Sequence, residues 1–119
     1  MSLKWGVRQA GDVVILDLRG RITLGEAVGA FRDEIRGLLA NKQKNILLNL
    51  AKVSHVDSCG LGELVGLFTT VTTRDGQLKL LNLRNRIRAL LQITKLDTVF
   101  ETFTDEKAAL RSFQTPAQK

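Results

Sequence analysis

A chain of 119 residues, 44% of them hydrophobic, can bury the core of one ordinary domain without covalent staples. No apolar run approaches the ~20 residues that cross a bilayer, MSLKWGVRQAG carries no signal-peptide core, and the lone Cys59 cannot form an internal disulfide, so a cytoplasmic protein is expected. One histidine, His55, beside one thiol leaves no nitrogen–sulfur metal site, and no cofactor is expected.

The formal charge is +6, concentrated in part between residues 74 and 96, where Arg74, Lys79, Arg84, Arg86, Arg88 and Lys95 face only Asp75. No nucleic-acid motif and no interleaved aromatics accompany these cations. The charge therefore points to a solvated face or an acidic protein partner, with neither nucleic acid nor membrane expected as a ligand.

WGVRQAG is a weak strand candidate. VVILDL (13–18) is a strong one, bounded by turn signals at Gly11-Asp12 and Gly20. Thr23 and Glu26 have capping-box spacing, and Leu24, Ala27, Val28, Phe31, Ile35, Leu38 and Leu39 recur on one helical face. ILLNL (46–50) reads as a central strand covered on both sides. A loop opens at His55, and a helix follows with Leu61, Leu64, Val65, Phe68 and Val71 inward. It stops at Asp75-Gly76.

QLKLLNL (77–83) is the next strand. Asn85 caps a helix that turns Ile87, Leu90 and Leu91 inward, and VFETF (99–103) is a short strand. Thr104 or Asp105 then caps a last helix through Ala109, Leu110 and Phe113. The polar end QTPAQK, with the only proline, reads as a flexible tail over 114–119. Strands alternating with helices imply an α/β domain with a mostly parallel sheet. Sites in such folds lie where strand ends lead into helices.

HVDSCGLGEL (55–64) falls at such a place. Asp57 or Ser58 suits the N-cap of the second helix, and a cap alone could explain the pair. Gly60 and Gly62 weaken a first helical turn, which makes sense if another chain approaches the backbone. Ser58, His55 and Asp57 are adjacent in sequence rather than convergent, and no G-x-S-x-G elbow is present, so a hydrolase is disfavoured. Cys59 is either a small buried filler or a thiol activated by the helix N-terminus. His55 reads as a half-exposed loop residue.

The segment NILLNLAKVSHVDSCGLGELVGLFTTVTTRDGQLKLLNL closely resembles the core of STAS domains, especially bacterial anti-sigma factor antagonists. The family pattern V-x-x-(I/M)-D-S-(S/T/A)-G-L-G is matched by Val53, Val56, Asp57, Ser58, Cys59, Gly60, Leu61 and Gly62. The resemblance implies a single STAS domain over residues 3–113, with a four- to five-stranded, mostly parallel sheet backed by about four helices. It implies no enzyme activity. The implied partner is an anti-sigma factor, often also a serine/threonine protein kinase, whose capture frees a sigma factor.

Phosphorylation at the start of the second helix breaks that complex in the family. The usual acceptor position is Cys59 here, which leaves Ser58 as the substitute acceptor. The implied partner-binding residues are Thr23, Asp57, Ser58, Cys59, Gly60, Leu61 and Gly62. The first loop, often acidic in the family, reads Gly20, Arg21, Ile22, Thr23, so its charge is reversed. A constitutive antagonist or scaffold without phosphorylation, a thiol-based sensor and a weak homodimer remain open alternatives at this point.

Overall fold

The computed structural model describes residues 3–114. Ten elements follow in chain order: β1 (Leu3–Ala10), β2 (Val13–Ile22), α1 (Glu26–Ala40), β3 (Asn45–Val56), α2 (Ser58–Thr73), β4 (Gln77–Leu81), α3 (Asn85–Ile93), a 3-10 turn (Leu96–Thr98), β5 (Thr102–Phe103) and α4 (Glu106–Gln114). The five strands lie side by side in chain order. β1 runs antiparallel to β2, and every other pairing is parallel. This is the mostly parallel α/β architecture that the alternating pattern predicts.

Alternation along each strand divides the apolar residues between two faces. Val14, Leu16 and Leu18 of β2, Ile46, Leu48 and Leu50 of β3, and Leu78 and Leu80 of β4 form the larger core. Helices α1, α2 and α3 cover it with Phe31, Ile35, Leu64, Leu67, Val71, Ile87 and Leu91. Trp5 meets Phe31 edge to face at 5.4 Å, and Phe68 meets Phe100 at 5.3 Å. The opposite face holds a smaller core, in which Val13, Ile15, Leu47 and Leu81 pack on Ala109 and Phe113 of α4. ILLNL is nearly continuous in apolar character because both faces of β3 are covered there.

Lys79 is the one charged residue buried among the described residues, at 4% exposure. Its Nζ donates to the Ser112 hydroxyl at 2.9 Å, pairs with Glu101 at 3.0 Å and lies over the Phe113 ring. It therefore fastens α4 to the sheet and is not part of a free basic face.

Several boundaries differ from those that local pattern predicts. β2 runs on to Ile22 and β3 to Val56, so Gly20 and His55 belong to strands. Their shared register shifts between Asp17 and Arg19 and again between Gly20 and Arg21. Gly20, at φ 109°, sits at that irregularity and does not end the strand. Thr23 is not the cap of α1: Gly25 is the N-cap, without a side-chain hydrogen bond. Likewise Arg84, not Asn85, precedes α3.

VFETF contributes only Thr102–Phe103 to the sheet, because the chain first makes a 3-10 turn and buries Phe100. Asp105 is the residue that caps α4, accepting from the Ala108 N–H at 3.1 Å. Gln114 closes that helix, and 115–119 of the expected tail lie outside the described residues. No helix among the described residues is long and apolar enough to cross a membrane.

Candidate functional site

The C-terminal ends of β2 and β3 deliver two segments to one rim of the sheet. Ile22 leads into residues 23–25, and Val56 leads into the start of α2. The Asp57 N–H still donates to the Ile22 carbonyl, which extends the ladder to the last residue before the helix. Asp57 is the N-cap of α2, in extended conformation. Its Oδ1 accepts from the Gly60 N–H at 2.7 Å, and its Oδ2 accepts from the Leu24 N–H at 3.2 Å. One carboxylate thus caps the helix and holds the neighbouring loop. The Gly60 N–H above all, with Leu24 adding, lowers the Asp57 pKa below the ordinary carboxylate value.

Gly60 is buried, and a Cβ at this position would overlap the carbonyl oxygen of Ile22. The chain that approaches this glycine is therefore its own β2, not a partner. Gly62 is different: it is exposed, with nothing within 4 Å of the point where a Cβ would stand. Leu61 is half-buried and packs against the larger core. Ser58 and Cys59 are both exposed in the first turn of α2, so the buried-filler reading of Cys59 does not hold. Thr23 is half-buried at the end of β2, next to Ile22 in the chain.

Helical spacing places Leu24 on the inner face of α1. Instead it precedes the helix and is 79% exposed. Its backbone is fixed by Asp57 while its side chain projects into solvent. The signal that could have found it is Gly25, which breaks the helical pattern one residue after Leu24. Arg32 of α1 grips Glu63 of α2 with two hydrogen bonds, at 2.9 and 2.8 Å, so the two helices flanking the rim are tied together.

His55 takes part in a defined chain of hydrogen bonds. Arg86 Nη1 lies 2.8 Å from its Nε2, and Ser54 Oγ lies 3.0 Å from its Nδ1. A guanidinium can only donate, so Nε2 accepts and Nδ1 carries the proton. The Ser54 hydroxyl in turn donates to the Gly20 carbonyl at 3.3 Å. The side chains of His55 and Asp57 direct their hydrogen bonds to Ser54, Arg86, Leu24 and Gly60, and none of these contacts involves the Ser58 hydroxyl. Among the described residues no group of three or more His, Cys, Asp or Glu side chains could hold a metal ion.

Acid should weaken this arrangement. Arg32 lowers the Glu63 pKa, Arg8 lowers that of Asp17, and the Gly60 N–H lowers that of Asp57. Each group is more acidic folded than unfolded. Its contribution is complete above the ordinary values of 3.8 for Asp and 4.5 for Glu, and is lost as the pH falls from there through the folded values. Thermal melts from neutrality down into strong acid should show Tm falling across that window, with a shallower fall in Glu63→Gln.

Comparison with known proteins gives a consistent result. The family model described as the STAS domain matches residues 4–109. The anti-sigma-B factor antagonist of Bacillus subtilis (strain 168) is 32% identical over 101 residues, covering 85% of this chain and 91% of the relative. An anti-sigma factor antagonist from Mycobacterium paratuberculosis has a similar structure, with TM-score 0.80 at 17% identity, covering 96% of each chain. The Bacillus cell fate determinant SpoIIAA in its phosphorylated form superposes with TM-score 0.71 at 23% identity, covering 92% of this chain and 99% of that one.

Proposed function

The chain belongs to the STAS domain family, and from that premise we propose that it acts as an anti-sigma factor antagonist. In this reading it binds an anti-sigma factor through the rim formed by Thr23, Leu24 and the first turn of α2, and so releases a sigma factor. The observation that carries the reading is the rim itself. Asp57 fixes two exposed segments side by side, and Leu24, Ser58, Cys59 and Gly62 present an open surface with an apolar anchor. The test is titration of the purified chain into a complex of the cognate sigma and anti-sigma factors. Sigma should be released in proportion to antagonist added. Intact sigma–anti-sigma complex at saturating antagonist would overturn the role.

Control by a serine/threonine kinase is a further part of the proposal. Ser58 is exposed at the first residue of α2, where a helix N-terminus accommodates a phosphate within the domain. The same roughly −1.5 to −2 charges would disrupt a partner packed on that turn. Cys59, at the position where the family usually carries the acceptor, offers no hydroxyl. Incubation with the partner kinase and ATP should add one phosphate, and Ser58→Ala should abolish it by intact mass. Phosphate that persists in that variant would place the acceptor elsewhere. No phosphate on the wild type would favour a constitutive antagonist.

A further inference from the structure

We propose that the sheet face beside α4, at the C-terminal ends of β2 and β3, is a docking surface for an acidic segment of the protein partner. The antagonist reading supplies only the partner's identity; the charge argument stands without it.

Leu18 and Ile22 of β2 are buried in the larger core. The residues between and beside them, Arg19 and Arg21, therefore project from the opposite face. Register places Lys4 of β1 and Lys52 of β3 on either side of Arg19. Arg84 reaches the same strand end, its Nε donating to the Ala51 carbonyl at 2.9 Å, and Arg86 donates to His55, the neighbour of Arg21. All six of these cations are exposed, and none is in an ion pair among the described residues.

The acids on this face are already engaged. Asp17 is held by Arg8 at 2.6 Å, and Arg8 also takes Glu106 at 2.9 Å. That cluster separates the apolar half of the face under α4 from the basic half. A shallow depression lined by Asp17, Arg19, Asn49, Ala51 and Lys52 opens between them. Arg19 and Lys52 are direct cross-strand partners, and like charges so placed repel. An anionic ligand relieves that repulsion, which gives the face a built-in preference for polyanions.

Protein is favoured over nucleic acid on this surface. The aromatic side chains described above are committed to the two cores or packed against them, so none is offered for base stacking. A sheet face carrying a row of exposed Lys and Arg side chains suits an extended acidic segment, and it adjoins the rim that carries Ser58.

The experiment uses a fluorescein-labelled oligoglutamate peptide, a labelled short DNA duplex and the full chain. Binding to the peptide should weaken steeply with salt and fall about ten-fold or more in Arg19→Glu/Lys52→Glu. The milder Arg19→Gln/Lys52→Gln should fall less, with both variants folded by circular dichroism. A control reversal at the other end of the sheet, Lys42→Glu/Lys44→Glu, should change little. Equal losses in patch and control variants would overturn the proposal, as would tighter binding to the duplex than to the peptide. With an anti-sigma factor as ligand, patch reversal should slow association. Unchanged association there would overturn the patch and leave the antagonist role standing. Failure of the wild-type chain itself to bind that ligand would remove the role, and the peptide measurement would still decide the patch.

Discussion

Gly60→Ala should unfold or severely destabilise the protein, whereas Gly62→Ala, two residues on, should leave it as stable or slightly more so. A methyl at residue 60 collides with the backbone carbonyl of Ile22, and that carbonyl is fixed by the hydrogen bond from Asp57. Neither β2 nor α2 can give way without breaking the ladder and the cap together. Overpacking against backbone of this kind costs about 3 kcal/mol or more. Residue 62 has open space around it, and replacing a helical glycine with alanine contributes up to about 1 kcal/mol. Urea melts of the two variants side by side provide the measurement. Equal stability would mean that β2 and α2 do not meet as closely as described.

The second large effect concerns binding. Gly62→Trp should keep the wild-type melting temperature and lose about a hundred-fold or more in affinity for the proposed anti-sigma partner. The exposed position has open space where a side chain would begin, and a large one occupies the volume a partner would fill on the first two turns of α2. Fluorescence anisotropy with labelled anti-sigma factor reads the loss. Unchanged affinity would move the interface off this turn.

Much of the fold is legible in local pattern. The branched run at 13–18, the apolar run at 46–50 and the 3–4 spacing from Leu61 are each dictated by burial on a sheet or helix face, and the structure keeps all three. What local pattern misses is set by pairing across the sheet. β3 reaches Val56 because β2 continues beside it through two irregular steps, which no window of sequence contains. Thr23 and Glu26 have the spacing of a capping box, yet the Leu24 N–H is taken by Asp57, from 33 residues away, and α1 begins later.

The glycines divide in the same way. Both weaken a helix in sequence, but only three dimensions show that Gly60 admits β2 while Gly62 faces solvent. The cations also regroup. Of the basic cluster seen between residues 74 and 96, Lys79 goes inside, and Arg84 and Arg86 join Arg19, Arg21 and Lys52.

Asp57 also ties the two halves of the rim to one point. Its two oxygens hold Gly60 and Leu24 at once, so the start of α2 and the loop before α1 share a single fastening. Loss of the Asp57 carboxylate would therefore release the Gly60 N–H and the Leu24 N–H together. The link is one side chain long, and the buried packing of both cores has no part in it. The fastening of the rim and the packing of the body thus rest on separate contacts.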